Sequence, residues 1–217
     1  MKVNTDSVLL GSWATINSNA KTGLDIGSGT GILSLMLAQR NRDISILGIE
    51  IEPNAFEESK INFEDSVWKE RLIAVNLPLQ KFVPETKFDC IISNPPYFIN
   101  DLKNKDSNKT KARHTDTLSF NEIINFIATH LSKEGTFNLI LPKTESEIFR
   151  EEVVKSNLHL QKIAFIKPNS NKEINRVLMC FGREYKELEK ETFCVYESQG
   201  VYSKKHHELT HMFYLDK

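Results

Sequence analysis

This chain of 217 residues lacks several features that mark disulfide-bonded, metal-binding, membrane or secreted proteins. It has only three cysteines, Cys90, Cys180 and Cys194, each alone within an apolar run, so neither a disulfide framework nor a cysteine metal site is predicted. We expect these thiols to be small buried side chains. No run approaches the roughly 18 apolar residues that a membrane crossing needs, and no secretory signal follows Met1. We therefore expect a cytoplasmic protein.

An excess of charge of either sign is also absent. The chain has 28 Lys and Arg against 29 Asp and Glu, a formal net charge of −1, so the molecule as a whole gives no electrostatic indication of a nucleic-acid partner. Internal repeats and low-complexity tracts are missing too. Because 40% of the residues are hydrophobic, a buried core is expected, and the length suits a single domain over residues 1–217.

Short β-rich runs alternate with helical patterns, which is typical of repeated βαβ units and an α/β fold with a parallel sheet. Strands are predicted at 22–26, 44–49, 72–75, 88–93, 136–141, 160–166 and 176–181, with an additional strand allowed at 192–196. Helices are predicted at 31–40, 53–63, 119–131 and 145–156. Residues 1–20 are expected to lead into the domain with a helix over 7–14, capped by Thr5 or Asp6.

A glycine-rich loop follows the first predicted strand, with the sequence Asp25-Ile-Gly27-Ser-Gly29-Thr-Gly31. Open α/β sheets bind ligands at this position. The spacing differs from G-x-G-x-x-G, and no Gly-Lys-Ser/Thr is present, which argues against both NAD and ATP. A carboxylate such as Asp25 would repel phosphates, so the loop favours a cationic or amine-bearing ligand.

An acidic residue ends the second predicted strand. Glu50 lies 25 residues after Asp25, where a carboxylate can accept both hydrogen bonds from a ribose diol. Glu52 is the rival, and we prefer Glu50 because it directly follows the apolar run. Together, the loop and Glu50 resemble the S-adenosylmethionine site of class I methyltransferases. That resemblance implies S-adenosylmethionine as cofactor and a Rossmann-like fold: a mostly parallel seven-stranded sheet with helices on both faces and an antiparallel last strand. It also places Asn76 near the cofactor's adenine amine.

A stiff polar turn, Asn94-Pro95-Pro96-Tyr97, directly follows the fourth predicted strand, at the same sheet edge as the glycine loop. The Asn94 side-chain oxygen and the Pro95 carbonyl can accept hydrogen bonds from both N–H groups of an exocyclic amine, which localises the nitrogen lone pair for in-line attack on a methyl group. Tyr97 can stack on a planar substrate. This turn resembles the motif of methyltransferases that act on adenine N6, on guanine N2 of ribosomal RNA, or on the glutamine amide of release factors.

The family resemblance is carried by residues 1–14 and by LDIGSGTGILSLMLAQR, GIEIEPNA, FDCIISNPPYF, ARHTDTLSF and NRVLMCF. Together these segments resemble the bacterial valine-tRNA (adenine-N6)-methyltransferase family over nearly the whole chain. The resemblance implies one methyltransferase domain that acts on the adenosine beside the anticodon of valine tRNA. Methylation of a release-factor glutamine, or of another amino group in RNA or DNA, stays the alternative. We expect a monomer that binds no metal and no membrane.

The polar, aperiodic stretch 100–117 is the expected substrate loop. Between residues 100 and 114 this stretch carries five Lys or Arg and two Asp, and this local excess of positive charge would make RNA binding salt-dependent. The predicted RNA-contacting residues are Phe98, Lys103, Lys105, Lys109, Lys111, Arg113 and His114, and Lys167, Lys172 and Arg176 are candidates to extend the patch. The predicted cofactor-binding residues are Thr5, Asp25, Gly27, Gly29, Gly31, Glu50, Asn76 and Asn94. The predicted catalytic residues are Asn94, Pro95 and Tyr97.

Overall fold

A computed structural model describes residues 4–95 and 118–214. Its strands are β1 (Thr22–Ile26), β2 (Ser45–Glu50), β3 (Leu72–Asn76), β4 (Phe88–Ser93), β5 (Leu131–Pro142), β6 (His159–Lys167), β7 (Arg176–Gly182), β8 (Glu189–Cys194), β9 (Tyr196–Ser198) and β10 (Val201–Tyr202). Its helices are α1 (Thr5–Trp13), α2 (Ile32–Arg40), α3 (Pro53–Glu64), α4 (Phe120–His130), α5 (Lys143–Val153) and α6 (Lys204–Thr210). Within these ranges, no helix combines the length and the apolar character that crossing a membrane requires.

Eight strands form one sheet in the order β3-β2-β1-β4-β5-β7-β6-β8. β1 to β5 pair in parallel, whereas β7 is antiparallel to both β5 and β6. The predicted α/β class with a mostly parallel sheet is confirmed, but the sheet has eight strands rather than seven. The additional strand β8 begins with Glu189-Lys-Glu191, three residues before the predicted 192, and pairs with β6 at the sheet edge. Charged residues are typical of an edge strand. Because the start of β8 is charged, it could not be predicted from an apolar run.

The side chains of the sheet alternate between two buried apolar clusters, one on each face. The first cluster includes Leu10 of α1, Leu37 of α2 and Phe63 of α3, and α6 packs beside it. The second includes Ile127 of α4 and Phe149 of α5. Helices therefore cover both faces, as predicted, which is the usual requirement of a mostly parallel sheet.

The first helix begins earlier than predicted and has a different cap. α1 starts at Thr5, and its cap is Asn4, whose side-chain oxygen accepts a 2.7 Å hydrogen bond from Ser7 N. The predicted start at Ser7 and the predicted caps Thr5 and Asp6 were therefore wrong. Asn, Thr and Asp all favour this position, and the sequence places the three side by side, so composition did not distinguish them.

Polar contacts anchor α1 and the segment after it to the sheet. Thr15 N donates to Asn138 Oδ1 of β5 at 2.8 Å, and the Thr136 hydroxyl donates to Thr15 O at 2.6 Å. Trp13 is 3% exposed, and its Nε1 donates to Glu191 Oε1 of β8 at 2.7 Å. These contacts hold the C-terminal end of the helix and the residues after it against the sheet.

Two of the three cysteines lie in unreactive environments. Cys90 and Cys180 are buried, as predicted, and Cys194 is partly exposed. Burial raises the pKa of the Cys90 thiol to about 12 and that of Cys180 to about 11. Because the thiolate is the nucleophilic form, these two thiols are inert at neutral pH.

Candidate active site

The candidate residues meet where the parallel strands β1, β2 and β4 end. β1 lies between β2 and β4, so the chain turns to opposite sides of β1 there, the position where α/β sheets bind ligands. The register pairs Ile26 with Ser93, and Glu50 with Asn76. The Ser93 hydroxyl also donates to Ile26 O at 2.9 Å. The glycine loop, Glu50 and Asn94 therefore share one edge.

The glycine loop turns sharply because Gly27, Gly29 and Gly31 have φ values of 70°, 55° and 79°. A Cβ on Gly31 would collide with the ring of Phe63, so the loop packs tightly on α3 at this end. At Gly27 a Cβ would meet no atom within 4 Å. The loop therefore borders open space beside Gly27, where a ligand can approach the backbone.

Asp25 is a fully buried carboxylate next to this loop. Its Oδ2 accepts hydrogen bonds from Ser34 Oγ at 2.8 Å and Ser34 N at 3.2 Å, whereas Oδ1 has no hydrogen-bond partner among the described residues. Burial raises the pKa of the Asp25 carboxyl from 3.8 to about 7; the bonds from Ser34 oppose this rise and the charge of Glu50 adds to it. A buried acceptor without a partner fits a ligand that brings an amine or ammonium donor.

Glu50 links the glycine loop to the end of β2. Its Oε2 accepts from Gly29 N at 2.8 Å and its Oε1 accepts from Glu52 N at 2.9 Å. Each carboxylate oxygen has a second lone pair, so Glu50 can still accept from the two hydroxyls of a diol. The Glu52 side chain caps α3 instead, with a 2.7 Å bond from Ala55 N. This geometry supports the preference for Glu50 over Glu52.

Asn76 and Ile51 border Glu50. Asn76 Nδ2 donates to Glu50 O at 2.7 Å and to Ile51 O at 3.2 Å, which leaves Asn76 Oδ1 as an acceptor for an amine. The Ile51 side chain is 48% exposed, so it offers an apolar surface at the rim of the site. Ile51 was not predicted from the sequence, because an isoleucine after a strand matches no motif. Only its exposure in the structure identifies it as part of the rim.

Asn94 is held from α1, on the other side of the site. Its Nδ2 donates to Ser7 Oγ at 3.0 Å, and the adjacent Pro95 is buried. Thr5 is exposed at the start of the same helix, two residues before Ser7. Ser7 and Ser34 were not predicted either, because neither hydroxyl belongs to the motif residue that it contacts. Ser7 is 87 residues from Asn94, and Ser34 is nine residues from Asp25.

Part of the predicted site lies outside the described residues. These positions are Pro96, Tyr97, Phe98, Lys103, Lys105, Lys109, Lys111, Arg113 and His114, with the rest of the loop 100–117. Among the other predicted cations, Arg176 forms an ion pair with Asp6, with 2.7 Å between Nε and Oδ2. Lys172 lies in the connection from β6 to β7, which is at the edge where β5 ends. Across 4–95 and 118–214, no group of three or more His, Cys, Asp or Glu side chains is placed to hold a metal ion.

Replacing Glu50 by glutamine tests the diol contact. The amide has one oxygen where the carboxylate has two, so we expect the binding free energy of S-adenosylmethionine to become about 1 to 3 kcal/mol less favourable. Titration calorimetry measures this change, and Glu52→Gln is the matched control because the Glu52 side chain caps α3. If Glu52→Gln weakens binding more than Glu50→Gln does, the assignment is reversed.

Comparison with known proteins identifies close relatives in sequence. Residues 3–147 match the family model of the methyltransferase small domain. The chain is 37% identical over 217 residues to the tRNA1(Val) (adenine(37)-N6)-methyltransferase of Flavobacterium psychrophilum, a match that covers 99% of this chain and 93% of the relative. A protein of the same name from Aliivibrio fischeri is 39% identical over 219 residues, with 100% and 92% covered.

Solved structures show the same architecture at lower sequence identity. A predicted O-methyltransferase from Agrobacterium tumefaciens matches with a TM-score of 0.72 at 15% identity, over 95% of this chain and 96% of that one. A glycopeptide N-methyltransferase in complex with S-adenosylmethionine matches with a TM-score of 0.54 at 11% identity, over 78% and 84%. The Rossmann-like class I methyltransferase fold expected from the sequence is confirmed.

Proposed function

Because the chain belongs to the tRNA1(Val) (adenine(37)-N6)-methyltransferase family, whose methyltransferase small domain it carries, we propose that it methylates N6 of the adenosine beside the anticodon of valine tRNA. The predicted enzyme class, an S-adenosylmethionine-dependent methyltransferase, is confirmed by this membership. The observation that carries the choice of substrate is the match to relatives of this name over the full length of the chain.

The residues at the sheet edge fit S-adenosylmethionine, which supplies the reactive methyl group on its sulfonium. Asp25 Oδ1 is a buried acceptor without a partner, suited to the α-ammonium group of the amino-acid part. Glu50 would accept from the ribose hydroxyls and Asn76 Oδ1 from the adenine amine. The open space beside Gly27 leaves room for the ligand to approach the loop.

Asn94 and Pro95 would hold the target amine. The adenine amine is a weak nucleophile, because its lone pair is delocalised into the ring. When the Asn94 Oδ1 and the Pro95 carbonyl accept its two N–H groups, the lone pair is localised on nitrogen and directed at the methyl group. The methylated amine is acidic enough to lose its proton to water, so positioning rather than a strong base provides the rate acceleration. Tyr97 is proposed to stack on the base.

The remaining features of the proposal concern the assembly of the molecule. We propose one methyltransferase domain over 1–217, in which 1–20 leads into the sheet and 100–117 with its lysines contacts the tRNA. An adenosine in a stacked anticodon loop must swing out of the stack to reach Asn94. We also propose that the enzyme acts as a metal-free monomer in the cytoplasm, where its tRNA substrate resides.

Incubation with S-adenosylmethionine and an unmodified valine tRNA transcript tests the substrate. We expect nucleoside mass spectrometry to detect one N6-methyladenosine per tRNA, at the position beside the anticodon. A transcript with guanosine at that position is the control and should gain no methyl group. Transfer to a release-factor glutamine in place of the tRNA would overturn the proposal and establish the alternative.

A further inference from the structure

The hydrogen bond between Ser7 and Asn94 joins two parts of the chain that are 87 residues apart. Ser7 lies in the first turn of α1 and is 7% exposed, and Asn94 immediately follows β4 at the candidate site. Their side chains meet at 3.0 Å, from Asn94 Nδ2 to Ser7 Oγ.

The two ends of the Asn94 amide have opposite hydrogen-bonding character. A target amine only donates while it is held for attack, so it requires Oδ1. In that orientation Nδ2 of the half-buried Asn94 side chain points to the other side and is stabilised by an acceptor of its own. The Ser7 hydroxyl accepts this bond, and while it does so the amide oxygen faces away from Ser7 and is available to the target amine.

The Ser7 hydroxyl can perform this role because its position is determined from both sides. Asn4 caps the helix through Ser7 N at 2.7 Å, and Asp6 pairs with Arg176 of β7. The cap fixes the backbone at Ser7 from within the helix, and the ion pair fixes the first turn of α1 from the sheet. A hydroxyl on a loosely held segment would provide no comparable restraint on Asn94.

We propose that Ser7 is a positioning residue for methyl transfer, which keeps the Asn94 amide oxygen directed at the target amine. This inference rests on the proposed function, because it assumes that Asn94 holds the adenine amine. It concerns the rate of transfer rather than the binding of either substrate, because Asn94 is proposed to hold the reacting amine and most contacts to the cofactor and the tRNA are proposed at other residues.

The pair Ser7→Thr and Ser7→Val tests the role of the hydroxyl at nearly constant side-chain volume. Both variants are β-branched, so they perturb the helix alike and differ mainly in the oxygen. We expect kcat of Ser7→Thr to stay within about threefold of the parent, and kcat of Ser7→Val to fall about tenfold below Ser7→Thr. The KM for valine tRNA and the Kd for S-adenosylmethionine should change less than about twofold between these variants.

A second substitution in the same helix serves as the control. Ser12→Ala also removes a hydroxyl from α1, one that donates to Val8 O at 2.7 Å and makes no contact with Asn94. We expect its kcat to match the parent. Equal kcat values for Ser7→Thr and Ser7→Val, or a loss in Ser12→Ala as large as in Ser7→Val, would overturn the role of Ser7. Absence of transfer to tRNA by the parent enzyme would instead overturn the proposed function.

Discussion

Replacing Asn94 by alanine is expected to reduce methyl transfer to tRNA by at least about a hundredfold, the scale observed when one well-placed polar group of an active site is removed. The adenine amine would lose its side-chain acceptor, so its lone pair would stay delocalised and its nitrogen would no longer be aimed at the methyl group. The structure places Asn94 directly after β4, whereas Asp25 and Glu50, the main proposed cofactor contacts, lie on β1 and β2. Binding of S-adenosylmethionine should therefore persist.

Single-turnover rates with valine tRNA and calorimetric titration of S-adenosylmethionine measure the two effects separately. Asn125→Ala is the matched control, because Asn125 is an exposed asparagine on α4, a helix packed on the opposite face of the sheet from α1. Its rate should equal that of the parent. A rate for Asn94→Ala within threefold of the parent would show that Asn94 does not hold the reacting amine.

Replacing Asp25 by asparagine is expected to stabilise the ligand-free protein above neutral pH. The folded state binds the Asp25 proton more tightly than the unfolded chain does, so this contribution to stability is complete below about pH 4 and is lost as the pH rises through 7. One pKa unit corresponds to about 1.4 kcal/mol. Because the pKa of the Asp25 carboxyl rises from 3.8 to about 7, its charged form destabilises the folded state by about 4 kcal/mol at higher pH. The amide never acquires this buried charge.

The same substitution is expected to weaken S-adenosylmethionine binding. Without the carboxylate, the ammonium group of the ligand loses its charged partner, which should cost about 2 to 5 kcal/mol of binding free energy. Affinity of the parent should also increase as the pH rises through 7 and Asp25 becomes charged, whereas the affinity of Asp25→Asn should lack this dependence. A gain in stability combined with a loss of binding is typical of a ligand-binding carboxylate and not of a structural one.

Thermal unfolding of the ligand-free protein at pH 5 and pH 8 measures the first effect, and titrations across the same range measure the second. The stability gain should be about 4 kcal/mol at pH 8 and less than half of that at pH 5. Asp65→Asn removes an exposed carboxylate after α3 and should shift neither quantity. If Asp25→Asn is less stable than the parent at pH 8, the surroundings stabilise the carboxylate, and its buried charge does not destabilise the folded state.

The sequence predicted most of the fold because strands buried on both faces carry continuous apolar runs. β1 and β4 have the predicted bounds, Thr22–Ile26 and Phe88–Ser93. The errors occur where local chemistry is ambiguous. β5 begins at Leu131 rather than 136, because Leu131 pairs with Phe88 of β4, while Ser-Lys-Glu-Gly lacks a strand pattern and lies in the irregularity before Thr136 pairs with Cys90. Tertiary pairing overrides weak local preference at such positions.

The site was predictable to the extent that its residues form contiguous motifs. The glycine loop and the turn at Asn94 each follow a strand directly, and parallel strands bring such segments to one edge without further information. The partners of these motifs were not predictable. Ser34 binds Asp25 and Ser7 binds Asn94, yet a serine within a helix has no distinctive spacing, and only the coordinates reveal which hydroxyl meets which polar group.

The placement of α1 also constrains how the protein matures during translation. α1 precedes the sheet in the chain. Thr15 binds Asn138, Asp6 binds Arg176 and Trp13 binds Glu191, and each of these partners is more than a hundred residues downstream. A nascent chain can complete these contacts only after β8 has left the ribosome. The anchoring of α1, and with it the support that Ser7 gives to Asn94, is therefore completed only after β8 has been synthesised.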